Sequence, residues 1–176
     1  LVLSGTGGDP GLLGKAGLLI AKGEARVRGR RHVSPLLDKL TFGQYNAAFK
    51  PNRTPFDWLS RDEAEVDAYI ADTMCGQTFT SGFFVDLVGA QPTINDRRKV
   101  ARIRRDLPIL LLSGEKCQVG ANGRGPREVA EQLRSVGVTD VTCTLYPGAR
   151  HEIFNETNRD EVTADLIRWL DAHLPT

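Results

Sequence analysis

A short apolar run, a helix and a second strand, all within about forty residues, constrain this chain more than any other feature. After Pro108, Ile109 to Leu112 is uninterrupted hydrocarbon and ends at Ser113-Gly114. A run of that length bounded by turn residues suits a strand covered on both faces, as parallel sheets require. From Asn122 to Gly137 the apolar positions Val129, Ala130, Leu133 and Val136 fall on one side of a helix, and Gly137 stands where a helix stops. Residues 140 to 146 then alternate Val141, Cys143 and Leu145 with Thr142, Thr144 and Tyr146, a β-rich composition. The unit reads as βαβ, with a right-handed crossover and hence a parallel sheet flanked by helices.

What leaves the second strand points to chemistry. Pro147-Gly148 is a turn, and His151 follows just beyond the strand end, where α/β folds place reactive groups. Imidazole can take and return a proton near neutrality, as a general base for acyl transfer must. The plainer alternative is a histidine that only tethers its loop.

Tyr146-Pro147-Gly148-Ala149-Arg150-His151-Glu152 with Asn155-Glu156 resembles the histidine loop of α/β-hydrolases of the lysophospholipase and monoacylglycerol lipase type, the serine aminopeptidase-like hydrolases. Pro108 to Gly114 resembles the strand carrying their acid, Leu1 to Gly8 an earlier core strand and the loop into the cap, and Thr80 to Phe84 the start of a cap-to-core helix. The resemblance implies the C-terminal part of an α/β-hydrolase, with core at 1–9 and 106–176 and a helical cap or lid with its return segment at 10–105. It implies hydrolysis of lipid carboxylic esters through an acyl-serine, with His151 as general base and acid and no cofactor. A pseudoenzyme or acyl-binding module is the alternative.

The family's parts are not all here. None of the serines at 4, 34, 60, 81, 113 and 135 lies in G-x-S-x-G, so the nucleophile and oxyanion loop are expected upstream of Leu1, itself in the middle of a strand. The family's acid position, three residues past the strand-ending glycine, holds Cys117 in Ser113-Gly114-Glu115-Lys116-Cys117. A neutral thiol lacks the charge that stabilises a forming imidazolium, so the chain by itself is expected to be inactive unless Glu115 reaches over. A nucleophilic Cys117–His151 dyad lacks an oxyanion hole in this sequence. His32, His151 and His173 show no zinc-ligand spacing, so no metal is implied.

The remainder reads as support. Gly5-x-Gly7 after a strand invites a dinucleotide reading, but Pro10 occupies the fingerprint's third position and no βαβ continuation follows. Residues 11–22 form a weak helix, and Arg26 to His32 is a basic run that reads as a solvated linker rather than a lipid-binding patch. Ser34-Pro35 and the capping boxes Ser60-x-x-Glu63 and Asn158-x-x-Glu161 open helices. Phe42, Tyr45, Phe49, Phe56 and Trp58 fill a cap interior or line an acyl groove. Val162, Leu166, Trp169, Leu170 and Leu174 make a stripe on a final helix where His173 is structural.

A net charge of +1 gives no global case for nucleic acid, and three cysteines, an odd number without C-x-x-C, suit a reducing compartment, the cytoplasm. Partners are therefore expected to be a small acyl ester or lipid, with peripheral membrane contact through the cap and self-association through an exposed strand edge.

Overall fold

The computed structural model describes residues 1–174. Three parallel strands, β1 (Val2–Ser4), β2 (Ile109–Gly114) and β3 (Val141–Tyr146), lie in the order β1-β2-β3. The register sets Leu111 between Leu3 and Cys143, and Leu112 between Ser4 and Thr144. All six residues of β2 are buried. Its alternation serves two cores, which is why the run carries no polar break: Ile109 and Leu111 pack with Ala130, Leu133 and Val138, whereas Leu110 and Leu112 pack with Tyr146, Ala149, Ile153 and Val162. Helix α6 (Arg124–Ser135) thus covers one face and α7 (Arg159–His173) the other.

Five α-helices stand between β1 and β2: α1 (Gly11–Arg28), α2 (Pro35–Thr41), α3 (Glu63–Ala71), α4 (Ser81–Ile94) and the single turn α5 (Arg97–Val100), with a short 3-10 helix at Asn46–Phe49 between α2 and α3. A third cluster of Ala21, Leu37 and Phe84, with Phe42 and Val85 against it, joins α1, α2 and α4. Two helix starts follow their sequence signals. Ser34 Oγ accepts Leu37 N–H at 3.1 Å, and Thr80 caps α4 by accepting Phe83 N–H at 3.2 Å.

Three expectations need correction. Helix α1 does not stop near residue 22 but continues through half of the basic run to Arg28. Its terminal arginines suit the negative end of a helix, and Gly29 at φ 87° provides the stop. The box at Ser60 does not close, because Ser60 Oγ donates to the Asn155 carbonyl at 2.7 Å and accepts Asp62 N–H at 2.9 Å. Asp62 caps α3 instead, accepting Ala64 N–H at 3.1 Å. Asn158 does reach Glu161, at 2.9 Å, but its oxygen accepts from Arg61 and so caps no backbone N–H. His173 stacks on Trp169 with centroids 4.2 Å apart and bonds Asp140 at 3.1 Å, in keeping with a structural role. Among the described residues no helix is long and apolar enough to cross a membrane.

Candidate active site

The exits of β2 and β3 are stitched together by backbone. Glu115 N–H donates to the Tyr146 carbonyl and Lys116 N–H to the Ala149 carbonyl, each at 2.9 Å. Gly114 makes this possible, since a Cβ there would strike the carbonyls of Ala149 and Arg150. The chain then turns back, with Cys117 N–H on the Gly114 carbonyl at 3.1 Å and Asn122 N–H on the Cys117 carbonyl at 2.9 Å. These two loops, 34 residues apart in sequence at their key positions, bring Cys117 Sγ to 3.3 Å from His151 Nδ1.

Two further surfaces hold the imidazole. Gly5, at φ +60°, lies so close that a Cβ on it would be 3.0 Å from His151 Cε1 and 3.1 Å from Nδ1. Trp58 stacks on the ring with centroids 5.3 Å apart at 29°, and its carbonyl accepts His151 N–H at 3.4 Å. Phe42 and Tyr45 pack in turn on Trp58. A shelf of aromatic rings therefore runs from the helical segment to the histidine.

Burial decides the protonation of the pair. Desolvation lowers the His151 pKa from its ordinary value, opposed by the neighbouring Glu152 carboxylate. Desolvation raises that of Cys117, opposed by hydrogen bonds from Gly120, Ser113 and Val119. Both shifts favour neutral thiol beside neutral imidazole, so the thiolate–imidazolium dyad set aside on sequence grounds gains no support from the environment. Glu115 does not reach over: its Oε2 accepts Gly148 N–H at 3.1 Å and is committed to the turn before the histidine.

Beneath the histidine loop lies a charge network that the sequence did not single out. Glu156 is 0% exposed. Its Oε1 accepts Arg150 N–H at 2.6 Å and Arg61 N–H at 3.2 Å, while Oε2 accepts Arg61 Nε at 2.7 Å and Thr157 N–H at 3.2 Å. The Arg150 guanidinium bonds the carbonyls of Asp57 and Ser60 and covers the Phe49 ring. In sequence, Glu156 belonged to the motif but carried no sign of burial, and Arg61 lies 95 residues away from it. Two shallow grooves, about 350 and 260 Å³, flank α6 and are lined by neither Cys117 nor His151. Among the described residues no three metal-ligating side chains converge.

Comparison with known proteins bears on what such a site does. Residues 1–158 match the Hydrolase_4 family, described as serine aminopeptidase, S33. A monoacylglycerol lipase of Mycolicibacterium smegmatis is 27% identical over 164 residues, covering 92% of this chain and 55% of the lipase. A monoglyceride lipase of Saccharomyces cerevisiae is 31% identical over 75 residues, 41% of this chain and 23% of that protein. Among solved structures, a thermostable carboxyl esterase from Bacillus coagulans in complex with glycerol superposes with a TM-score of 0.87 at 25% identity, over 98% of this chain and 56% of the esterase. The chain thus spans about half the length of the mycobacterial lipase and of the esterase.

Proposed function

We propose that this chain, which belongs to the serine aminopeptidase (S33) family of hydrolases, is the histidine-bearing portion of a serine esterase acting on monoacylglycerols or lysophospholipids. The fold is that of an α/β-hydrolase of the monoacylglycerol lipase type. The observation that carries the reading is the meeting of His151, at the end of β3, with the residue at the family's acid position, at the end of β2. In this reading His151 Nε2 takes the proton of a serine hydroxyl as the serine attacks the ester carbonyl. It returns that proton to the leaving alkoxide, and a water molecule repeats the cycle on the acyl-serine. The nucleophile and oxyanion donors are assigned to the part of the relatives that this chain does not span. Residues 1–9 and 106–176 are then core and 10–105 the cap, with 175 and 176 lying outside the described residues.

Cys117 sets the limit on that chemistry. If its S–H donates to Nδ1, the ring hydrogen resides on Nε2, where the lone pair is needed. The chain by itself is therefore read as inactive. A fluorophosphonate probe and a short nitrophenyl ester should give no labelled serine and no burst; specific labelling of one of the six serines, abolished by His151→Ala, would overturn this.

A second reading, an acyl-binding or lipid-surface role without turnover, is favoured by α1. Leu12 and Leu13 are 81% and 85% exposed, and Leu19, Ile20 and Val27 are exposed with them. Helical spacing gathers these on roughly a third of the circumference, opposite buried Ala21, with Lys15, Lys22 and Arg26 along one flank. This segment is read as the contact with a lipid surface, and the free cysteines 75, 117 and 143 as suiting the cytoplasm. Co-sedimentation with anionic vesicles, lost in Leu12→Asp/Leu13→Asp, supports the contact; equal sedimentation of that variant refutes it.

A further inference from the structure

The side chain stacked on His151 comes from the segment between β1 and β2 and not from the strand that leads to the family's acid position. Trp58 stacks on the ring, and at 8% exposure it keeps water from that face. Its backbone is tied to the histidine loop by two successive bonds: His151 N–H reaches the Trp58 carbonyl, and Glu152 N–H reaches that of Leu59 at 2.8 Å. Glu156, wholly buried, binds Arg61 and Arg150 and so ties the segment carrying Trp58 to the loop carrying His151. On the remaining side the ring meets Gly5 and a sulfur, neither of which offers a charge to orient it.

We propose that Trp58 is a positioning residue for His151, fixing the ring plane and excluding water, and that Glu156 is the lock that keeps Trp58 in register with it. This rests on reading His151 as the base. In a triad with a carboxylate, orientation comes from a charged hydrogen bond to Nδ1. Here that bond is made to sulfur, and the stacked indole with the Arg61–Glu156–Arg150 bridge supplies the orientation instead. Displacement of residues 57–62, through the aromatic shelf of Phe42 and Tyr45, is then felt at the base.

The groups facing the imidazole are Cys117 from the loop after β2, Glu152 on its own loop, and Trp58 with Tyr45 behind it from the helical segment. Trp58 does not titrate, so it acts on the ring only through desolvation and stacking. Proton NMR titration of the whole chain follows all three histidines, with His151→Gln identifying the signal of interest. In the wild type the His151 ring protons should be displaced by the indole ring current, and the ring should titrate below the ordinary histidine range. Trp58→Ala should move the midpoint up toward that range and remove the displacement, Trp58→Phe should retain most of both, and Glu156→Gln should shift them in the same direction as Trp58→Ala. His32 and His173 should not respond. Should Trp58→Ala not fold, Trp58→Leu keeps an apolar side chain and should still abolish the ring-current displacement. Folded Trp58 variants with an unchanged His151 signal, or equal changes at all three histidines, would overturn the proposal. The titration does not depend on ester turnover, so failure of the esterase reading and failure of this one are separately visible.

Discussion

Cys117 Sγ lies 3.3 Å from His151 Nδ1 and at the same time accepts Gly120 N–H at 3.4 Å. The sulfur therefore occupies the place of an orienting acceptor without its charge. Burial opposes forming that charge on the thiol. A carboxylate at this position could take the same Gly120 N–H and attract the proton of an imidazolium.

Cys117→Asp is accordingly expected to raise the His151 midpoint. In a protein that also carries the G-x-S-x-G serine it should raise kcat. Loss of orienting charge in a serine protease costs on the order of 10⁴ in kcat, and part of that factor should return. NMR titration checks the first outcome and ester turnover the second; an unchanged midpoint would mean that another carboxylate already serves His151.

The neutral histidine also links stability to pH. Burial lowers the folded-state pKa of His151, whereas the unfolded chain binds that proton near about 6.5. Between the two values the unfolded state holds more protons, so stability is complete above the unfolded value and declines as pH falls through it toward the folded one. The slope from this single group is at most about 1.4 kcal/mol per pH unit. Urea melts between pH 7.5 and 5 should show the decline, and His151→Gln should flatten it. Asp57 acts in a separate window. Burial pushes its carboxyl up, but bonds from Thr54 and Arg53 and the nearby Arg150 outweigh this and lower it, so its contribution is lost only at more acidic pH.

Glu156→Ala should be among the most damaging single substitutions. It removes four hydrogen bonds and leaves Arg61 and the N–H of Arg150 facing a site from which water is excluded. Breaking a buried charged pair on one side costs about 3–5 kcal/mol; Arg61 is about one-third exposed, which places the expectation at the lower end. Denaturant midpoints read the loss directly. A surface control such as Asp86→Ala, whose pair with Arg30 is exposed on both sides, should change stability by less than about 1 kcal/mol.

The core was legible because its signals are local. Ile109 to Leu112 announced burial on both faces, the spacing of Val129, Ala130 and Leu133 announced α6, and Pro147-Gly148 placed His151 at a strand end. The supports of the site were not, because each depends on a partner far along the chain. Ser60 has the spacing of a helix cap, yet its hydroxyl is claimed by a carbonyl 95 residues away. Trp58 was visible as one aromatic among five, and only the fold selects it as the one lying on His151. Exposure of α1 was hidden for a related reason: its one apolar side has the spacing of a core-facing stripe, yet the fold buries Ala21 on the opposite side and leaves Leu12, Leu13 and Leu19 exposed.

Gly5 offers the most economical test of the site's shape. It was legible as a turn glycine; the structure adds that it is a wall of the imidazole pocket. Its φ of +60° costs a residue with a Cβ roughly 1–2 kcal/mol. The added carbon would also sit 3.0 Å from His151 Cε1, tighter than nine in ten such contacts, so the ring or the loop must give by a few tenths of an ångström. Gly5 N–H is bonded to the Leu112 carbonyl at 2.9 Å, which resists movement of the loop. Gly5→Ala should therefore both destabilise the fold and displace the His151 ring. The expected result is a lower denaturant midpoint together with a changed His151 resonance, while His32 and His173 stay as they were. Loss of stability with an unaltered His151 signal would show that the backbone strain is real but that the ring does not rest on Gly5.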